Sequence, residues 1–284
     1  MFSLVVCTID RFDQLERLFL SLTRQRFRDF EVILVDQNGD DRLLSLIEQF
    51  SPSLTIRHIR SVKGLSRARN TGMAAAHGDY IGFPDDDCWY GPDTLETAAR
   101  LFADHPALSI VTGRTFDAEG RVSLSPTGAV SMAVTRWNYL RCGNSNSIFV
   151  RRAALADIGG FDEDLGVGAA SPFQSGEEAD FLLRALAAGK RLTFFPELVV
   201  HHDQVTGEYG PRQVERARKY GRGFGALMRK QEFPLAYVGY RLCRPAAGWL
   251  VALARCNPDQ ARCKHAWLIG ILEGYATWPR WGRG

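Results

Sequence analysis

Tyr80-Ile81-Gly82-Phe83-Pro84-Asp85-Asp86-Asp87 sets a short apolar run against three consecutive carboxylates. Tyr80–Phe83 reads as a buried strand, with the acids just beyond its carboxyl end. Towards the N-terminus, Leu54–Ile59, Phe30–Val35 and Phe2–Cys7 are three more apolar runs of strand length. Between them Leu15, Leu18, Phe19 and Leu22 recur at helical spacing, as do Leu43, Leu44, Ile47 and Phe50. Asp13 with Glu16 predicts a capping box on the first helix, and Leu65–Ala76 reads as a helix rich in small residues. Such alternation predicts βαβ units, and hence an α/β fold with a mostly parallel sheet flanked by helices.

Towards the C-terminus, Pro92 and Asp93 open a helix through Ala103, and Leu108–Thr112 is a fifth strand. Residues 113–141 show no clear period and read as an insertion or acceptor-side loop region. Asn144–Val150 is a strand, followed by a short helix near Arg151–Asp157 that Gly159-Gly160 ends. Glu177–Ala188 is a helix with Gly189 in the position of a C-cap. Leu192–Phe195 and Leu198–His201 return to the sheet.

The 284 residues are 45% hydrophobic and 24% charged. That composition suits one main domain with an appendage and excludes wholesale disorder, collagen and coiled coil. The N-terminal apolar run has no basic flank and is too short for a signal peptide. Cys7, Cys88, Cys142, Cys243, Cys256 and Cys263 are scattered without CxxC pairs, which argues against a zinc site or a disulfide framework and for a reducing, cytoplasmic compartment. Charge is distributed unevenly. Residues 1–204 carry 21 Lys and Arg against 27 Asp and Glu, a net −6, whereas residues 205–284 carry 14 against 5, a net +9.

In open α/β sheets ligands bind beyond the carboxyl ends of the strands. Here those ends are Thr8-Ile9-Asp10, Asp36-Gln37-Asn38-Gly39-Asp40 and Asp85-Asp86-Asp87. A single Asp after a strand is ordinarily a cap or turn residue. Three in a row repel one another unless a cation compensates, and hard divalent ions such as Mg²⁺ or Mn²⁺ prefer carboxylate oxygens. Gly64-Leu65-Ser66-Arg67-Ala68-Arg69 adds Gly, Ser and two Arg at a helix start, a combination suited to a diphosphate. Arg67 and Arg69 lie on different helix faces, so at most one points fully at such a ligand.

Thr8-Ile9-Asp10, Val35-Asp36, Gly64–Gly72, Phe83–Asp87 and Gly176-Glu177-Glu178-Ala179-Asp180, in this order and spacing, resemble the family 2 glycosyltransferases of GT-A fold. Each motif is weak alone; the five together, over roughly residues 1–204, are specific. The resemblance implies inverting transfer from a nucleotide-diphospho-sugar donor to a hydroxyl acceptor, with Mn²⁺ or Mg²⁺ holding the diphosphate. By the same resemblance Thr8, Asp10 and Asp36 line the nucleoside pocket, Asp36 receiving the base. Asp85 meets the ribose or the metal-bound phosphate, Asp86 belongs to the same donor-binding set, and Asp87 is the metal ligand of a DXD element. Arg67 and Arg69 fall near the diphosphate. Glu178 is the candidate base, with Glu177 and Asp180 in support, and the Gly- and Ser-rich stretch 166–176 suits a mobile lid. His201 is the expected further metal ligand, since only one of His201 and His202 can face the site from a strand. Two departures from the family pattern are Cys88, where many relatives carry Asp, and Glu178 itself, usually Asp.

The domain expectation is a catalytic domain over residues 1–204, its nucleotide-sugar half about 1–112 and its acceptor half about 113–204, then a basic helical C-terminal extension over 205–284. Pro245–Ala254 is apolar but only ten residues long, too short to span a membrane. Basic helices bearing Trp249, Trp267, Trp278 and Trp281 suit either an anionic membrane surface, on the inner face of the cell membrane, or packing as a helical subdomain. A glycan or lipid-linked hydroxyl is the expected acceptor, in polysaccharide or glycoconjugate synthesis. Nucleic acid is not an expected partner, because no motif accompanies the charge. Two rival functions are a sugar-nucleotide nucleotidyltransferase, disfavoured because Cys7–Leu15 has no Gly, and a non-catalytic nucleotide-sugar-binding module. A dinucleotide-dependent oxidoreductase is excluded by the lack of GxGxxG after the first strand.

Overall fold

The computed structural model describes residues 1–124, 128–204 and 209–278. Trp281 lies outside them. In chain order the elements begin β1 (Phe2–Thr8), α1 (Asp13–Thr23), β2 (Phe30–Asp36), α2 (Leu44–Phe50), β3 (Ile56–Arg60) and α3 (Leu65–Ala74). There follow β4 (Tyr80–Gly82), β5 (Cys88–Tyr90), α4 (Thr94–Asp104), β6 (Ile110–Phe116), β7 (Met132–Ala133) and β8 (Ile148–Arg151). The chain ends with α5 (Leu155–Ile158), α6 (Glu177–Ala187), β9 (Leu192–His202), α7 (Pro211–Lys230), α8 (Leu235–Ala254) and α9 (Pro258–Thr277). These residues cluster into two compact units. The first comprises Met1–Lys63, Arg67–Phe161 and Phe181–Val205; the second comprises Gly64–Ser66, Asp162–Asp180 and Thr206–Gly284. Gly64–Ser66 and Asp162–Asp180 thus group with the C-terminal helices although they fall within 1–204.

In the first unit a nine-stranded sheet runs β3-β2-β1-β4-β8-β6-β9-β5, with β7 on β9. The strands β1 to β4 are mutually parallel where they pair. All seven residues of β1 are buried, as expected for a strand covered on both faces. Leu15, Leu18, Phe19 and Leu22 of α1 are fully buried in one cluster with Phe2, Leu4, Val6, Val32 and Leu34. Burying each such side chain stabilises the fold by roughly 1.5–3 kcal/mol. On the other helix α3, Gly72 lets the backbone approach the sheet: a Cβ there would stand 2.3 Å from Val5 Cγ1.

Several sequence expectations change. Phe12 caps α1 without a side-chain bond, so Asp13 and Glu16 form no capping box and simply lie in the first turn. The strand expected at Asn144 starts only at Ile148, after a 3₁₀ turn over Ser145–Ser147. One continuous strand, β9, replaces the two expected around Pro196. A register shift in β6 at Gly113, where a Cβ would meet Leu198 O at 2.1 Å, accommodates it. β5 has no counterpart in the expectations, because its three residues follow the acids without any period. It pairs antiparallel with β9, and β8 runs antiparallel to β4 and β6, so the sheet is mixed beyond its parallel core.

The second unit is built on three helices of 20 residues each. α7 and α9 meet through glycines four apart on each: Cβ atoms on Gly225 and Gly274 would fall 2.1 Å from Ile271 O and 1.9 Å from Arg222 O. Only glycine permits that backbone approach. Leu165, Phe173, Ala226 and Trp278 form a small core in this unit. The segment 166–176 carries hydrogen bonds of its own. Gly168 N–H donates to Gln174 Oε1 at 2.8 Å, and the Gln174 amide donates to Ala169 O at 3.0 Å and Ser171 O at 2.6 Å. Gly166, Gly168 and Gly176 take positive φ in its turns. No described helix is long and apolar enough to cross a membrane.

Candidate active site

Parallel register aligns Thr8 with Asp36 and Asp36 with Arg60, and a bridge joins Cys7 to Asp85. The polar strand ends therefore converge at one end of the sheet in the first unit, the end where α/β sheets bind ligands. Asp36 is fully buried. Its Oδ1 accepts from the backbone N–H and the side-chain amide of Asn38, both at 2.8 Å. Its Oδ2 faces His58 Nε2 and Arg60 Nη1, both at 2.9 Å. Four polar neighbours surround this carboxylate, and through them Asp36 organises the strand ends. Asn38 Oδ1 in turn accepts from the Asp10 N–H at 2.8 Å. That bond holds Asp10 in the left-handed region, φ 56°, a conformation Asp tolerates better than most residues. The Asp10 side chain is exposed and pairs with Arg42 at 3.0 Å.

Of the two arginines on α3, Arg69 is the buried one, and its Nη2 lies 3.2 Å from Asp85 Oδ1. Arg67 is exposed. Ser145 Oγ donates to the Asp85 carboxylate at 3.3 Å. Arg11 bridges the other two acids, at 3.1 Å from Asp86 and in close contact with Asp87. Thr8 is buried beside Asp86. Burial pushes the Asp86 carboxyl up to about 6, against the pull of Arg11 and the Thr8 hydroxyl. Asp87 behaves in the opposite way. Burial would raise it, but hydrogen bonds from His202 and Arg11 outweigh burial and hold it well below the usual carboxylate range.

His202 Nε2 stands 3.3 Å from Asp87 Oδ1, so His202, not the expected His201, faces the acids. The hydrogen bond with Asp87 raises the His202 pKa. His201 stacks on Trp89 with ring centroids 5.4 Å apart and planes 13° from parallel. Strand alternation required one histidine to point away, and the antiparallel pairing of β5 with β9 decides which. Arg17 lies over the other ring of this group, 4.1 Å from the Trp89 centroid, and donates to Asp87 O at 3.0 Å.

Among the described residues no three His, Cys, Asp or Glu side chains converge into a metal cage. The donor set nevertheless fits a divalent ion that takes its remaining ligands from phosphate and water, since Mg²⁺ is usually held by only one or two carboxylates. Asp87 and His202 supply an adjacent oxygen and nitrogen, and the Arg11 guanidinium sits on Asp87 where such a cation would. Arg11, His58, Arg60 and Ser145 were not singled out by the sequence, and His202 only as the alternative to His201. The usable signal was position: Arg11 follows Asp10, and Arg60 ends β3 opposite Asp36.

In the second unit Glu177, Glu178 and Asp180 occupy the first turn of α6. Asp180 is fully buried, its Oδ1 held by Lys230 at 2.8 Å and Gln231 at 2.7 Å. Glu177 is 5% exposed. Glu178 is half-buried, and so the most accessible of the three.

Comparison with known proteins agrees with this architecture. The curated pre-mycofactocin glycosyltransferase of Mycobacterium tuberculosis (strain CDC 1551 / Oshkosh) is 30% identical over 163 residues, 54% of this chain and 33% of that protein. The PGL/p-HBAD biosynthesis glycosyltransferase of Mycobacterium bovis (strain BCG / Pasteur 1173P2) is 32% identical over 117 residues, 40% of this chain and 46% of the relative. The chain thus spans between a third and a half of the curated relatives it matches. Among solved structures, the S. aureus TarS 1-349 complex with UDP-GlcNAc superposes with a TM-score of 0.61 at 18% identity, covering 98% of this chain and 91% of that one. The mannosyltransferase PcManGT from Pyrobaculum calidifontis, in complex with GDP-Man and Mn²⁺, gives 0.62 at 18% identity, over 100% and 88%. These two likenesses speak for the fold. The sequence profile of glycosyl transferase family 2 matches residues 3–155, more than half of the chain. With that match, and with three of the five motifs at the carboxyl ends of β1, β2 and β4, this chain is a member of glycosyl transferase family 2, with a GT-A fold.

Proposed function

We propose that the chain transfers a glycosyl group from a nucleotide-diphospho-sugar to a hydroxyl acceptor with inversion at the anomeric carbon. The observation that carries this reading is the set of three strand-end carboxylates, each held by a cation or hydroxyl of the protein: Arg69 and Ser145 on Asp85, Arg11 on Asp86, Arg11 and His202 on Asp87. The donors named for the structural neighbours, UDP-GlcNAc and GDP-Man, are of this class.

In the proposed mechanism Asp87 and His202, with Asp85 in support, would hold Mn²⁺ or Mg²⁺. Such an ion supplies charge neutralisation for the departing diphosphate. Thr8, Asp10 and the Asp36 network shape the nucleoside pocket, and Arg69 contributes positive charge beside Asp85. Glu178 takes the proton from the acceptor hydroxyl as its oxygen bonds to the anomeric carbon and the bond to the diphosphate breaks on the opposite face. Glu177 and Asp180 support that carboxylate. The acceptor is a glycan or lipid-linked hydroxyl, and the basic extension brings the enzyme to an anionic membrane surface.

Incubation with a panel of nucleotide-diphospho-sugars tests the reading. Release of nucleoside diphosphate together with a glycosylated product of inverted anomeric configuration is expected. Formation of a sugar 1-phosphate with nucleoside triphosphate, in the presence of pyrophosphate, would identify a nucleotidyltransferase instead.

A further inference from the structure

The second unit contains a cavity of about 780 Å³ framed by α7, α8 and α9. Among the described residues its wall carries three cations, Arg241 and Arg244 from α8 and Lys264 from α9, and no acidic residue. Phe224 of α7 and Trp267 of α9 supply its aromatic floor, stacked at 6.2 Å. Arg241 lies 5.2 Å from the Phe224 ring, and its Nε is buried without a hydrogen-bond partner. None of the three cations is held in an ion pair among the described residues. Leaving a donor buried and unpaired is costly, and an anion seated in the cavity would satisfy it.

The helix that supplies two of these cations is chemically one-sided. From Phe233 to Pro258 the chain has no Asp or Glu. Pro245 lies on the cavity wall and cannot donate to the Arg241 carbonyl, which leaves another polar group at the same place. Tyr240, which lines the cavity, is 68% exposed, and further along α8 Leu250 and Val251 are 60% and 47% exposed. An aqueous anion such as a free nucleotide or phosphate has no use for those side chains. An anionic lipid has use for both parts: its phosphate meets Arg241, Arg244 and Lys264, and its acyl region continues over the exposed aliphatic residues.

We propose that this cavity is a binding site for the phosphate headgroup of an anionic membrane lipid, a specific seat within the membrane attachment suggested above, on which it rests. Vesicles of phosphatidylcholine with and without phosphatidylglycerol are the probe, and the full chain is used throughout. The triple variant Arg241→Gln, Arg244→Gln, Lys264→Gln should bind phosphatidylglycerol vesicles about a hundredfold more weakly, since each basic contact counts separately near an anionic surface. A control that removes the same charge from exposed α7 positions, Arg212→Gln, Arg216→Gln, Arg229→Gln, should keep most of the affinity. Ala247→Trp, which fills the cavity without changing charge, should weaken binding while circular dichroism shows the helices intact. Equal losses in the triple variant and the control would overturn the cavity as a seat while leaving general membrane attraction standing. No binding by the wild-type chain would overturn both. Full competition by inorganic phosphate at the concentration that displaces vesicles would show an anion site indifferent to lipid, and would overturn the proposal as well.

Discussion

The carboxyl end of the sheet and helix α8 handle charge in opposite ways. At the sheet, Asp36 has four donors and each acid of the 85–87 triplet has a protein cation or hydroxyl on it. In α8, Arg241 and Arg244 form no ion pair among the described residues, and the sequence has no Asp or Glu for 26 residues, from 233 to 258. Matched charge preorganises a site: a ligand entering there must bring its own charges and exchange them for those present. Unmatched charge attracts a partner from outside. One region is therefore built for a polar ligand held in fixed geometry, the other for a surface or headgroup of opposite sign.

The largest expected effect concerns the reaction rather than the fold. Glu178→Gln should lower turnover by roughly 10²- to 10⁴-fold, the range for loss of a general base, with donor affinity retained. Steady-state kinetics beside a donor-binding titration checks this, and a greater loss from Glu177→Gln would move the role one residue. Next in size, Arg69→Met removes a cation that is 2% exposed and paired with Asp85. It should destabilise the first unit by about 3 kcal/mol in chemical denaturation, because breaking a buried pair strands its partner. Arg244→Gln, which breaks no pair, should stay within about 0.5 kcal/mol of wild type. An equal cost for the two would erase the contrast.

Glycines sharpen the comparison. Gly72→Ala places a methyl 2.3 Å from Val5 Cγ1 and should cost about 2 kcal/mol by overpacking. Gly239→Ala in α8 has nothing within 4 Å of the new Cβ and should stabilise by roughly 0.5–1 kcal/mol through helix propensity. Thermal unfolding of the two variants should move in opposite directions.

The smallest effect is a pH dependence carried by Glu31. Burial would raise its pKa, but hydrogen bonds from Ser3 Oγ at 2.6 Å and the His77 N–H at 2.9 Å more than offset this, and the carboxyl titrates below its ordinary value. A depressed folded-state pKa contributes stability that is present above the unfolded value and is lost as pH falls through the folded one. The melting temperature of Glu31→Gln should therefore vary less than that of wild type as pH drops from about 6 to about 3, across the ordinary carboxylate range.

The parallel core of the sheet was legible because β1, β2 and β4 are continuous apolar runs, and α1 because its buried face repeats at helical spacing. The outer sheet was less so. β5 is three residues long and is defined by its partner β9, a long-range contact that no local pattern encodes, and Pro196 reads as a break although the strand continues through it. At the candidate site the acids were visible, being unusual after a strand. Their cations were not. Arg11 and Arg60 look like ordinary surface residues in sequence, and only parallel register and the β5–β9 pairing bring Arg60 to Asp36 and His202 to Asp87. The same reason explains the choice of His202 over His201. The cavity in the helical tail was hidden for a different cause, since a net charge of +9 shows an excess of cations but not that three of them line one wall.

The most direct test is a calorimetric titration of UDP and GDP into the protein in Mn²⁺ and again in EDTA, for wild type and Asp87→Asn. One nucleotide should bind wild type in Mn²⁺ at least about tenfold more tightly than in EDTA, a difference of ~1.4 kcal/mol, and the variant should lose that gain. Equal affinity in Mn²⁺ and EDTA, or an Asp87→Asn protein that keeps the full metal-dependent gain, would contradict the assignment of the acidic sheet end as the seat of a metal-bound nucleotide-sugar.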